Sequence, residues 1–549
     1  MSSFTVKTPV ASRVGNKVIG VNEAASDDAE KVLCSSPEGT RIYKRSIAFL
    51  LAAAAFELKL GPVSVMESVG ASFHVALPDC KLDDSTAGFL NATMGQIIAR
   101  NAVIERRSIP REEALKRFTE ATHKRTYELL SSSADSEVEC HCCGDFVALA
   151  HGVLVPTTGS MDAAHCRLAV ESNPFSHFRL HHAVPNSTTG AFETTSSEEP
   201  ALMQAYATRK VWGQKIGFQT VTDVNKAIAG SRTKQVIQLS EALHDHSIVS
   251  IAARIAGAPG DADAVDASES NSRPRLVLIA GPSSSGKTTF AKRLGVALET
   301  LGASPVVLSV DCYYKAWQDI DSRGMQFVDW EALASLNLEL LNEHLLALMA
   351  GEEVLVPEYD MKTSMPMSQE HWTKTRVPPG GLVIMEGIHC LNPNLTPRVA
   401  KTDKFQIMIS PLSALVLDDC NYISSSQVRM LRRMVRDYLF RGRSAVGTLK
   451  QWPGVARGER HNIYPNQNNA DVVMNSGLIY EANVLKVFAE PLLRSVTPDL
   501  PEYAEARRLL SMLDRLVSMP AAQVPPQSLL CEFIGGSWFY DHAGMYKTA

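Results

Sequence analysis

Eight consecutive residues, Gly281-Pro282-Ser283-Ser284-Ser285-Gly286-Lys287-Thr288, follow the pattern G-x-x-x-x-G-K-[ST], with Thr289 directly behind them. Residues of these types at this spacing bind phosphate. The glycines let backbone N–H groups converge at a helix N-terminus, the lysine adds a point charge, and the Thr288 hydroxyl is placed to ligate Mg²⁺. The apolar run Leu276 to Ala280 in front and a helix-patterned segment from Thr289 behind supply the strand and helix such a loop needs. Gly281, Ser283, Ser284, Ser285, Gly286, Lys287, Thr288 and Thr289 are therefore expected to hold a nucleotide, with ATP and Mg²⁺ as the implied cofactors.

Two carboxylates follow. Asp311 ends a second apolar run, 24 residues beyond Lys287. A carboxylate at that strand end would lie near the γ-phosphate, able to accept a proton from an attacking hydroxyl or to hold the metal through water. The competing reading is a helix N-cap. Glu386 ends the run Leu382-Val383-Ile384-Met385 and precedes Gly387, as expected of a buried strand delivering an acid to the Mg²⁺ side of a nucleotide. In the segment from Arg429 to Arg443, Leu431, Met434, Val435 and Tyr438 fall on one helical face. Arg429, Arg432, Arg433 and Arg436 fall on another, ahead of Arg441 and Arg443. Arginines closing over a triphosphate would stabilise charge in the transition state. A solvated basic face, or one used for RNA, is the alternative.

These groups need a scaffold, and from Arg275 onward the pattern supplies one. Strands at Leu276–Ala280, Pro305–Val310 and Leu382–Met385 alternate with helices ending near Leu301 and running from Leu333 to Met349, which predicts a parallel sheet with helices on both faces. Composition breaks at Asn186–Pro200 and Gly257–Pro274 divide the 549 residues, and Tyr206–Ile255 has helical spacing. A one-sided helix over Glu502–Met519 is expected to pack on the same core. The net charge of −5 gives no global pull toward nucleic acid or anionic membrane. Ten scattered cysteines read as reduced thiols. The apolar stretch Ile47–Leu58 is too short to span a bilayer and contains Glu57, so no membrane segment is expected. Cys140-His141-Cys142-Cys143 with His165-Cys166 is too crowded for a tetrahedral metal site. The first 22 residues carry three basic residues and no acid, which leaves a disordered tail or a mitochondrial presequence.

Taken in order, the segments Gly281–Thr289, Val310–Tyr314, Phe327–Trp330, Val356–Asp360, Ile384–Ile388 and Arg433–Asp437 with Arg441-Gly442-Arg443 resemble the uridine kinase and phosphoribulokinase family. The resemblance implies that Asp311 is the catalytic base, and that Lys287, Arg436, Arg441 and Arg443 serve catalysis. It further implies that Asp329 contacts a ribose, that Tyr359 and Tyr314 line the acceptor site, and that Thr288 and Glu386 organise Mg²⁺. One departure stands out: uridine kinases carry a pocket histidine where this chain has Ser364, which leaves phosphoryl transfer in place and uridine itself in question. In the amino-terminal half, Arg45 to Leu51 and Cys143 to Leu154 resemble two blocks of the second additional domain of threonyl-tRNA synthetases. The metal-ligand positions of that pattern fall on Arg45, Phe49, Ala150 and Leu154, none of which binds zinc as His or Cys would.

The expected fold class is α/β: a P-loop NTPase-type parallel-sheet kinase domain preceded by an α+β domain like the synthetase editing domain. The expected divisions are an extension over 1–40 (a truncated ubiquitin-like domain or disorder) and the synthetase-like region over 41–205. A helical connector over 206–272, the kinase-like domain over 273–495 and a carboxyl-terminal extension over 496–549 follow. The expected activity is ATP-dependent phosphoryl transfer to a hydroxyl of a small molecule, a uridine/cytidine-type nucleoside. An RNA-associated or regulatory NTP-binding protein and a sugar-phosphate kinase are the alternatives. RNA contact and oligomerisation stay open as partners, and the expected compartment is cytoplasmic, with a mitochondrial address as the alternative.

Overall fold

The computed structural model describes residues 7–14, 17–21, 30–69, 72–77, 80–171, 177–185, 192–193, 199–257, 273–316, 331–361, 363–413 and 415–539. The chain forms two units. The first comprises Met1–Thr233, Ser413–Gln427 and Glu490–Met519, and the second Lys234–Leu412, Val428–Ala489 and Pro520–Ala549.

The first unit is α+β. Its longest helix, Pro37–Glu57, starts where Ser36 accepts a hydrogen bond from the Gly39 amide and Pro37 takes the first turn, where a missing N–H costs nothing. Gly39 is obligatory, because a Cβ there would collide with the Leu33 carbonyl. The run Ala52–Ala55 is buried, and this face packs against an antiparallel sheet in the order Ser64–Val69, Ser72–Ala76, His177–His182, Cys166–Glu171. A second helix, Asp84–Arg100, is capped by Asp83 and ends at Asn101 in the left-handed conformation. A smaller sheet pairs Glu105–Pro110, Glu137–Cys143 and Phe146–Leu149. Alternation along Glu137–Cys143 sends successive side chains to opposite faces, so Cys140, His141, Cys142 and Cys143 do not converge. All ten cysteines are free thiols.

The second unit is built on a five-stranded, all-parallel sheet in the order Pro305–Ser309, Leu382–Glu386, Leu276–Ala280, Lys404–Ser410, Val472–Asn475. Leu276–Ala280 and Leu382–Glu386 are buried at every position, as continuous apolar strands covered on both faces must be. Helices Lys287–Thr300 and Leu338–Met349 follow the first two strands in chain order, and Asn337 caps the latter through the Leu340 amide. Among the described residues, no helix is long and apolar enough to cross a membrane.

Candidate active site

Parallel register sets the site. Glu386 pairs with Ile279 on one side and Ser309 on the other, so three strands deliver their carboxyl ends to one edge. Ligands collect at that edge of such a sheet. The loop Gly281–Gly286 leaves the middle strand there. Gly281 admits no side chain, since a Cβ would meet the Ile409 carbonyl, and Gly286 sits at φ +92° as the N-cap of Lys287–Thr300. Ser284, a non-glycine residue, holds φ +60°. Strain of this kind persists only where the surroundings over-determine it, and here a buried arginine does so. Arg432 is fully buried, donates to the carbonyls of Ser284 (3.4 Å), Ser285 (3.3 Å) and Ser476 (2.8 Å), and is paired with Glu481 at 2.6 Å.

Lys287 Nζ reaches the Gly281 carbonyl at 3.0 Å. Thr288 Oγ1 and Ser309 Oγ both donate to Glu386 Oε1, at 3.1 and 3.0 Å. Burial, and then the charge of Asp311, push the Glu386 carboxyl up to about 7, with Lys287 opposing. Asp311 lies in the turn Val310–Tyr313. It is not the N-cap; Ser309 is, accepting from the Asp311 amide at 3.3 Å, which leaves the Asp311 carboxylate free for other work. Burial raises the Asp311 carboxyl, against the pull of Lys287, Arg441 and Arg436. These oxygens suit a hard divalent cation: a hydroxyl and two carboxylates crowded together, one of them almost fully buried, with charge to be neutralised.

The arginine helix, Ser425–Arg441, divides its basic residues between two tasks. Arg429 and Arg432 are buried against Glu459 and Glu481 and hold the structure together. The helix's other arginines gather around Asp437, with Arg436 at 3.0 Å, Arg433 at 3.4 Å and Arg441 at 3.7 Å, joined by Arg443 from just beyond the helix at 3.6 Å. Burial opposes ionisation of Asp437, but Arg436, Arg433 and Arg441 outweigh it and hold its carboxyl below the usual range. Arg433 also donates to Ser283 Oγ at 2.7 Å, tying the cluster to the phosphate loop.

Tyr314 and Tyr359 meet with ring centroids 5.6 Å apart. Tyr359 is buried, and its hydroxyl has no hydrogen-bond partner among the described residues. Ser364 lies at φ +58°, its amide bonded to the Asp360 carbonyl at 2.8 Å. Asp329 falls outside the described residues. Further acids complete the site. Asp437 stands four places from both Arg433 and Arg441, a spacing that is readable in the sequence, whereas Glu481 lies 49 residues from Arg432 and has no such signal. Glu331, pushed up to about 7 chiefly by burial with Arg433 opposing, had no motif to announce it. A fourth is Glu532, whose Oε2 accepts from the Thr289 hydroxyl (2.8 Å) and amide (3.3 Å) at the start of the loop's helix.

In the first unit, Arg45 donates to the Val153 carbonyl at 3.1 Å, while Phe49 packs on Phe146 with centroids 5.1 Å apart. His151 bonds Asp418 at 2.7 Å.

Comparison with known proteins bears on the second unit. The profile of the phosphoribulokinase / uridine kinase family matches residues 276–480. A uridine kinase of Deinococcus deserti is 29% identical over 208 residues, spanning 37% of this chain and 89% of the relative. A uridine kinase of Vibrio atlanticus is 30% identical over 230 residues, spanning 41% of this chain and 99% of the relative. A solved structure described as a possible uridine kinase from Bacillus stearothermophilus covers 42% of this chain and 98% of its own, at 16% identity and a TM-score of 0.27. With the Vibrio protein matched over nearly its whole length, the chain belongs to the phosphoribulokinase / uridine kinase family.

Proposed function

We propose that this protein is an ATP-dependent kinase that phosphorylates a hydroxyl of a small, nucleoside-like molecule. The observation that carries the reading is the convergence of Lys287, Thr288, Glu386 and Asp311 at one edge of the parallel sheet, with Arg436 and Arg441 as charge neighbours of Asp311. Phosphoryl transfer is achieved mostly by positioning and charge stabilisation, and each residue has a role on those terms. The amides of Gly281–Thr289 and the Lys287 ammonium hold the phosphates. Asp311 orients the acceptor hydroxyl and takes its proton, a task helped by burial, which raises its carboxyl above the ordinary value and makes it a stronger base. Arg436, Arg441 and Arg443, pre-positioned by Asp437, neutralise the transferring group. Thr288 and Glu386 would hold Mg²⁺, which supplies positive charge across the phosphates. Tyr314 and Tyr359 wall the acceptor site, where the free Tyr359 hydroxyl is available to a polar group of the acceptor; Asp329 is assigned to its ribose by resemblance alone.

Support for a nucleoside-type acceptor comes from the uridine kinases that the chain resembles along nearly their full length. Ser364 in place of a pocket histidine is the one departure at the acceptor site, and it makes uridine and cytidine the first members of the panel to compare. We read the amino-terminal half as a non-editing relative of the synthetase domain, on the resemblance of its two sequence blocks. The test is ATP consumption by the full-length protein with Mg²⁺, against a panel of nucleosides and sugar phosphates, with Lys287→Ala as the blank. Acceptor-dependent turnover lost in the variant is expected. ATP binding without acceptor-dependent turnover across the panel would overturn the assignment.

A further inference from the structure

Five arginines line one cavity of about 450 Å³ in the first unit. Arg41 and Arg45 come from helix Pro37–Glu57, Arg106 from strand Glu105–Pro110, and Arg507 and Arg508 from helix Tyr503–Leu513. Against them the lining carries two carboxylates, Glu38 and Glu505, and both are already committed. Glu38 accepts from Arg13 at 2.6 Å. Glu505 accepts from Arg508 at 2.6 Å and from Arg41 at 3.2 Å. Arg106 is satisfied separately, by Glu139 at 2.9 Å.

That leaves a surplus. Among the described residues, Arg45 and Arg507 make no ion pair; the one hydrogen bond of the Arg45 side chain runs to the Val153 carbonyl. Burial, with Arg508 and Arg41 beside it, pulls the Arg45 guanidinium down to about 10. Glu505 pulls the other way, but it is shared by Arg508 and Arg41, and a partly buried cation whose nearest carboxylate is already paired is unfavourable unless something completes it. The same excess of positive charge disfavours a metal ion, even though Arg45 and Ala150 occupy positions where the synthetase resemblance would put metal ligands.

The remaining walls are partly apolar, from Ile42, Val153 and Tyr503. The volume falls within the range of small-molecule sites. An arginine fork matches the oxygens of a phosphate group two at a time.

We propose that this cavity binds a small phosphate ester with an apolar or aromatic body, its phosphate gripped by Arg45 and Arg507. The inference is independent of the phosphoryl-transfer reading, because every residue in it belongs to the first unit.

The test uses the full-length protein, with inorganic phosphate, a nucleoside monophosphate and a single-stranded oligoribonucleotide as probes. Affinity is read by titration calorimetry, and location by hydrogen exchange of the amides over 150–154 and 503–511. The monophosphate is expected to protect both segments and to bind more tightly than inorganic phosphate. Arg45→Gln and Arg507→Gln should each weaken that binding by about tenfold or more. Arg507 is exposed, so its variant keeps the fold whatever Arg45→Gln does. No protection of either segment by the monophosphate, or protection that persists unchanged in Arg507→Gln, would overturn the proposal. Protection by the oligoribonucleotide alone would also overturn it, in favour of nucleic acid.

Discussion

Replacing Arg432 by Met should damage the second unit far more than removal of a charge facing solvent would. The side chain is fully exclosed from water, paired with Glu481 at 2.6 Å, and bonded to three carbonyls, two of them in the phosphate loop. Methionine fills much of the volume but leaves Glu481, 4% exposed, as an uncompensated buried carboxylate. Breaking a buried pair in this way costs about 3–5 kcal/mol, while the Ser285 carbonyl keeps a donor in the Ser476 hydroxyl at 2.6 Å. That cost is a large share of the roughly 5–15 kcal/mol that stabilises an ordinary domain. Because a two-unit chain need not unfold in one step, the measurement is hydrogen exchange of the Lys287–Thr300 helix, which reports the second unit alone. Opening free energy there should fall by about 4 kcal/mol. The double variant Arg432→Met/Glu481→Leu removes both charges and should recover at least half of the loss. A single-variant loss below about 1 kcal/mol, the size of an exposed ion pair, would show that Arg432 is not the post that holds the loop.

Asp311→Asn should lower kcat by about a hundredfold or more with ATP affinity unchanged, because a general base acts on the acceptor and not on the nucleotide; single-turnover kinetics with separately measured ATP binding checks it. Glu532→Gln removes a negative charge from the first turn of the loop's helix, where Thr289 now holds it, and should tighten ATP binding by about two- to fivefold in titration calorimetry. Burial opposes ionisation of Glu505, yet Arg508 and Arg41 hold its carboxyl down to about 2, from an ordinary 4.5. A depressed carboxyl contributes stability that is complete above the ordinary value and is lost as pH falls through the folded one. Glu505→Gln should therefore cost the first unit about 3 kcal/mol at pH 6 and progressively less from about pH 4.5 down to 2, as measured by denaturant titration.

The parallel sheet was legible because its strands are continuous apolar runs, Leu276–Ala280 and Leu382–Glu386, that no helix or half-exposed strand would need. The phosphate loop was legible because glycine, lysine and threonine at fixed spacing have few other uses. The division of labour along the arginine helix was not. Periodicity separates Arg429, Arg432, Arg433 and Arg436 from the apolar face, but it cannot tell a guanidinium aimed at phosphate from one buried against an acid. Glu459 and Glu481, which decide the matter for Arg429 and Arg432, lie 30 and 49 residues further along the chain. Contacts of that range leave no local pattern. The partnership of Glu532 with Thr289, 243 residues apart, was invisible for the same reason.

The order in which the chain visits its two units bears on how it can be cut and how it is made. The second unit is assembled from 234–412, 428–489 and 520–549, with stretches of the first unit in between. A fragment trimmed to the family's own limits, 276–480, would retain Arg432 yet end one residue short of Glu481, and would discard Leu529 and Glu532 from beside Gly286 and Thr289. Such a fragment carries the motif and lacks the supports that shape it. During synthesis the same constraint means that the sheet's last strand, Val472–Asn475, emerges only after a first-unit segment, 413–427, has been made. The two units cannot mature strictly one after the other as the chain leaves the ribosome.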